Sequence, residues 1–131
     1  MRSNFWGKIG PEEAAQTAVV KYLALKYPKV LWCHPPQETY TKSSFQKWKN
    51  KVMGVQRGVP DLLIFESTRQ PSKKGGAVHF GLAIEMKHGS NKCTKDQADW
   101  LTALGDRGWR THVCYSSQDA CDIIDDYLGA R

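Results

Sequence analysis

The sequence predicts an α/β domain in which a mixed β-sheet carries helices on its faces. Three observations predict it. An apolar stripe at helical spacing runs through residues 11–27. Two apolar runs, 61–65 and 78–86, flank a turn-rich loop. A third apolar run, 111–115, leads into a serine-capped helical pattern. The resulting order, α-β-β-α-β-α, specifies layers of sheet and helix rather than a bundle or a sandwich.

The first helix spans residues 11–27. Pro11 suits the first helical position, with Gly10 before it. Ala15, Ala18, Val19, Tyr22 and Leu23 recur at three- and four-residue spacing and form one stripe. Pro28 stops the helix. Residues 29–34 form a short strand that Pro35-Pro36 ends. The polar stretch from Gln37 to Gly58 holds a short helix around Ser44 to Met53. Asp61 to Phe65 is a buried strand by composition. Residues 67–76 make a turn-rich loop, and Val78 to Met86 returns as the second strand of a hairpin. A helix from Lys95 to Leu104 turns Trp100, Leu101 and Leu104 inward, with Gly105 and Gly108 at its exit. Thr111 to Tyr115 is the next strand. Ser116 or Ser117 then caps a last helix that buries Ala120, Ile124 and Leu128.

The 131 residues amount to one domain, 1–131, with no internal repeat. Apolar residues make up 40% and charged residues 24%, a globular balance. No apolar run approaches the ~20 residues that span a bilayer, and residues 1–7 lack an apolar signal core. The expectation is a cytoplasmic protein with no membrane partner. A net charge of +6 and a pI of about 9.2 favour a polyanionic partner, nucleic acid above all. The four cysteines form no C-x-x-C pair, which excludes a zinc ribbon or a dithiol redox motif. Cys114 and Cys121 fall on apolar faces as packing residues.

The informative chemistry lies in Gly58-Val-Pro-Asp61 and Glu85-Met-Lys87. Glu85 and Lys87 are two apart in a strand, so their side chains leave one face while Met86 leaves the other. Asp61 opens the preceding strand after a proline-extended turn. In a hairpin the start of one strand lies beside the end of its partner, so Asp61 and Glu85 meet. Two carboxylates beside a lysine suit phosphodiester hydrolysis. The acids offer hard oxygen ligands to Mg²⁺ or Mn²⁺. The lysine orients water or offsets developing charge. An ordinary Glu–Lys pair at a solvated strand end has the same spacing, and spacing alone does not choose between them.

Pro60-Asp61 and Glu85-Met86-Lys87 match the PD-(D/E)xK nuclease pattern. The stretches around them, Gly58 to Leu62, Gly81 to Lys87, Thr94-Lys-Asp-Gln97 and Gly108 to Val113, extend the match. From about Glu12 to Leu128 the chain resembles the VRR-NUC family, the virus-type replication-repair nucleases. The resemblance implies a restriction-endonuclease-like core, a Mg²⁺ or Mn²⁺ cofactor and a DNA substrate. Small stand-alone members, many of them phage proteins, resemble Holliday-junction resolvases and form homodimers. The implied catalytic set is Asp61, Glu85, Lys87, Gln97 and Glu12. The implied metal ligands are Asp61, Glu85, Glu12 and the backbone carbonyl of Met86. Counting along the first helix places the family's acid at Glu12, with Glu13 the alternative. Acids in a first helical turn also serve the helix dipole. Thr94-x-x-Gln97 is equally a capping box, in which the glutamine returns to the backbone.

Between residues 42 and 57 stand five cations and no acid: Lys42, Lys47, Lys49, Lys51 and Arg57. Phe45 and Trp48 are interleaved with them. Cations hold phosphates and aromatic faces stack on unpaired bases, so the segment reads as a DNA guide. The plainer alternative is a solvated loop that its two aromatics anchor to the core. The family's usual arginine-rich pattern is absent here, so no contact carries over residue by residue. Lys73 and Lys74 form a weaker second patch. His112 shares a strand face with Cys114, but no further ligand stands at suitable spacing, and packing is the expected role. The expected function is a metal-dependent, structure-selective DNA endonuclease. The alternatives are a branched-nucleic-acid binding module that does not cut, and a duplex-specific restriction-type enzyme.

Overall fold

In a computed structural model that describes residues 6–36 and 43–131, helix α1 covers Pro11–Lys26. Pro11 occupies its first turn, where a missing N–H costs nothing. Glu12 and Glu13 complement the positive end of the dipole. Val19 and Leu23 are fully buried and Ala15 packs beside them, whereas Ala18, assigned to the same stripe, faces solvent. Strand β1 is Trp32–Cys33, α2 is Ser44–Val52, β2 is Leu62–Ile64 and β3 is Leu82–Met86. Helix α3 covers Lys95–Asp106, β4 Arg110–Cys114 and α4 Ser117–Leu128.

The sheet order is β1-β2-β3-β4. β1 and β3 run antiparallel to β2, and β4 runs parallel to β3 after the α3 crossover. The expected mixed sheet with flanking helices is therefore present. β3 is its centre, with all five residues buried. Leu62, Ile64, Leu82, Ile84 and Met86 share one core with Val19 and Leu23 of α1 and with Ala120, Ile124, Tyr127 and Leu128 of α4. Glu85 stands between Ile84 and Met86, so it leaves the opposite face of the sheet.

The strands are shorter than the apolar runs that announced them. Val78 to Gly81 lies outside β3, and Val78 and Phe80 are exposed. Pairing with β2 stops at Leu82 because β2 itself ends at Ile64. Beyond that point the Phe80 N–H turns to the Gly108 carbonyl, 2.9 Å away. Gly81 lies so close to the Trp109 ring that a β-carbon would sit 2.5 Å from it. β1 likewise keeps only two of the six residues expected of it.

Helix ends follow their capping residues. Ser116 accepts from the Asp119 N–H to start α4, and Ser43 accepts from the Gln46 N–H to start α2. A buried ion pair, Arg110 to Asp126 at 2.8 Å, ties β4 to α4. Arg110 also donates to Ser72 at 3.0 Å, which holds the long β2–β3 connection against the same pair.

Candidate active site

The β2–β3 register, Leu62 opposite Ile84, places Asp61 opposite Glu85 when carried one residue further. The turn before Asp61 is shaped by Gly58, whose φ of +82° favours glycine. A β-carbon there would lie 2.5 Å from the Asp96 backbone and 2.6 Å from the Gln97 nitrogen. The turn is thus pressed onto the start of α3. Pro60 is fully buried and delivers the chain into β2.

Asp61 is clamped at both ends. Its Oδ2 accepts from the Met86 N–H at 2.8 Å. Its carbonyl accepts from Gln16 Nε2 at 3.2 Å and from His34 Nδ1. Glu85 is 3% exposed and Lys87 8% exposed, and Lys87 Nζ lies 3.3 Å from Glu85 Oε2. The solvated strand-end pair that the spacing also allowed is therefore not what the fold builds. Burial pushes the Glu85 carboxyl up to about 8, and the charge and hydrogen bond of Asp61 push the same way against the pull of Lys87. Cys93 stands in the same electrostatic neighbourhood. Its thiol is pushed up first by burial and then by the charge of Glu85.

Glu12 reaches the site from α1. Its Oε1 accepts from the His88 N–H and from Asn91 Nδ2, both at 3.2 Å. This joins α1 to the loop that follows Lys87. A cleft of about 650 Å³ opens between α1 and the sheet, and Glu12, Gln16, Trp32, His34, Asp61 and Met86 line it. Glu13 lines it too, from a more exposed position.

Asp61, Glu85 and Lys87 are thus brought together, with Glu12 and Met86 on the adjoining cleft. Gln97 is not joined to them by a hydrogen bond of its side-chain oxygen. That atom accepts from the Thr94 N–H at 2.9 Å while Thr94 Oγ1 accepts from the Gln97 N–H, which is the capping box read from the sequence. Lys47, Lys51 and Arg57 line one groove with Val55. Lys49 lies elsewhere on α2, and Lys42 lies outside the described residues. His112 accepts from Arg110 Nε at 2.8 Å, and Cys114 is buried, so both pack as expected.

The chain matches the VRR-NUC domain family over residues 10–118. It belongs to the VRR-NUC family. A solved structure described as a VRR_NUC domain protein is similar to it, with a TM-score of 0.69 at 22% identity, covering 99% of this chain and 93% of that one. That likeness is one of fold. No match was found among curated proteins. As a VRR-NUC domain, the chain is a nuclease of the PD-(D/E)xK type, hence a hydrolase that acts on nucleic acid. Among the described residues, no helix of this VRR-NUC domain is long and apolar enough to cross a membrane.

Three neighbours of the VRR-NUC motif carried little signal in the sequence. Gln16 was visible only as the residue one helical turn after Glu12. Its Oε1 is buried without a hydrogen-bond partner, which is costly for a polar atom. His34 and Cys93 had no motif to mark them, because only the tertiary fold brings them to Asp61 and Glu85.

The donor set fits a hard divalent cation. Asp61 and Glu85 supply carboxylate oxygens whose mutual repulsion is relieved, in the protein alone, by a raised Glu85 pKa. The orphaned Gln16 oxygen lies in the same region. Among the described residues no group of three or more His, Cys, Asp and Glu forms a ready cage. An ion here would complete its shell with water, backbone or substrate oxygens, as Mg²⁺ commonly does.

Proposed function

We propose that this domain is a Mg²⁺- or Mn²⁺-dependent endonuclease that cuts branched DNA, four-way junctions among its substrates. The observation that carries the reading is the Asp61–Glu85–Lys87 cluster: an acid just before β2 opposite an acid on β3, with a buried lysine 3.3 Å from the second. Burying such a cluster costs stability, and a protein keeps it where it serves chemistry.

Asp61 and Glu85 would hold the cation, with the Met86 carbonyl as a further ligand and Glu12 assisting from α1. When bound, the cation offsets charge on the scissile phosphate and acidifies water. Lys87 orients the attacking water and opposes the charge that builds on the phosphate. Gln97 supports Lys87 from the first turn of α3, where its side-chain oxygen also closes the cap on Thr94. Glu12 is favoured over Glu13 because its carboxylate is tied to the His88 amide, next to Lys87. Lys42, Lys47, Lys49, Lys51 and Arg57 guide the DNA. A homodimer would set two such sites on two strands, as junction resolution requires.

The test is a cleavage panel of four-way junction, flap and linear duplex with Mn²⁺, for wild type and Lys87→Ala. Wild type cuts a branched substrate, and Lys87→Ala falls by about 10²-fold or more. Binding without cutting, or equal cutting by Lys87→Ala, defeats the proposal. Cutting confined to one short duplex sequence would indicate a restriction-type enzyme. Gel filtration of the same preparation reports the dimer.

A further inference from the structure

Helix α2 is amphipathic, yet none of its residues is buried. Phe45 and Trp48 are 67% and 59% exposed, and Val52 continues the same stripe at 59%. The two rings lie against each other, with centroids 5.9 Å apart and planes tilted by 32°. The aromatics therefore do not anchor the segment to the core. They form a solvent-facing apolar surface, a costly arrangement unless something covers it.

Charge complementarity identifies the occupant. At helical spacing, Lys51 (three residues from Trp48) and Lys49 (four from Phe45) lie on opposite flanks of the aromatic stripe, with Lys47 one turn from Lys51 on the side away from the rings. Lys47 and Lys51 continue into a groove of about 280 Å³ with Val55 and Arg57. α2 itself contains no acid. Aromatic faces between rows of cations match a strand whose bases are unpaired. The rings take the bases and the lysines take the phosphates. A fully paired duplex hides its base faces and would use only the lysines. A second copy of this basic helix would bring like charges together.

We propose that Phe45 and Trp48 form a stacking platform for unpaired DNA bases, flanked by lysines that hold the same strand. The proposal rests on the nuclease reading for its DNA substrate, and it supplies a reason for preferring branched DNA, where bases at a branch point are unstacked. After α2 the chain runs through Arg57 and the Gly58 turn into Asp61, so a strand held on α2 is held by the segment that delivers the site's first acid.

The test is fluorescence anisotropy in EDTA, where no cutting occurs, with a labelled oligo-dT strand and a labelled linear duplex. The full chain is compared with Phe45→Ala/Trp48→Ala and Lys47→Ala/Lys51→Ala. The aromatic variant should lose about tenfold or more on oligo-dT and little on duplex. The lysine variant should lose on both, and its salt slope on oligo-dT should fall by roughly 0.7 per lysine removed. A Phe45→Tyr/Trp48→Phe variant should retain binding. Unchanged oligo-dT binding by the aromatic variant overturns the proposal. So does equal loss on both probes accompanied by conversion of a dimer to a monomer in gel filtration, which would make the face a contact between copies. Circular dichroism melts confirm folding, which the exposure of both rings should leave intact. Selective loss on oligo-dT by a chain that never cuts would sustain the platform while the nuclease reading failed.

Discussion

Glu85 occupies a position that physical chemistry discourages. A carboxyl sits in a strand whose every residue is out of solvent, beside a second carboxyl. Its pKa is raised on folding, so the protonated form is the stabilised one. The stability it contributes is present at low pH and drains away as the pH rises through about 8. Glutamine copies the protonated acid. In the absence of divalent cations, Glu85→Gln should therefore melt higher than wild type at pH 8, by about 1 kcal/mol, while cleavage is abolished. Thermal denaturation at pH 5 and pH 8 checks this, and the advantage should shrink at pH 5. The motif residues Asp61, Glu85 and Lys87 were legible in the sequence because strand alternation and hairpin geometry suffice to place them. Gln16, His34 and Cys93 were not, since each reaches the site through packing between distant segments.

At the level of elements, the helices followed their sequence signals more closely than the strands did. Caps are local: Thr94 with Gln97 and Ser116 with Asp119 act within one turn, and both formed as read. Strand length depends on a partner. The run from Val78 to Met86 reads as one strand, but β2 offers pairing only to Leu82 through Ile84. The ion pair between β4 and α4 was not legible at all, because nothing in the sequence links Arg110 to Asp126. Burial raises the Asp126 pKa, but hydrogen bonds from Arg110, Ser72 and the Lys74 amide outweigh that and hold it below the ordinary carboxylate range. A depressed pKa contributes stability above the unfolded value near 3.9, and that stability is lost as the pH falls through the folded value. Asp126→Asn should leave the Arg110 charge buried and unpaired, costing about 3 kcal/mol at pH 7. It should also flatten the acid limb of the stability–pH curve, which urea melts between pH 2 and 7 would show.

For the molecule as a whole, the α/β class and mixed sheet were legible from element order, and the family from the ordered motifs. The exposure of α2 was not: the same aromatics could have closed onto the core, and only the fold shows that they did not. A ligand that binds only the folded state stabilises it by mass action. Mn²⁺ at a hundredfold excess over its Kd should therefore raise wild-type stability by about 2.7 kcal/mol. Asp61→Asn should lose most of that gain, and equal stabilisation of both proteins would place the cation elsewhere.

The Lys87 N–H donates to the Cys114 carbonyl at 2.8 Å, so β4 holds the lysine's backbone in place. β4 and α4 also complete the core on which β3 rests. Every motif residue of the proposed site precedes those two elements in the chain. Synthesis proceeds from the N-terminus, so the nascent chain carries all the chemical groups of a nuclease without the frame that aligns them. A chain cut short before Arg110 should therefore keep every residue of the proposed site and cleave nothing, which the same cleavage panel would show.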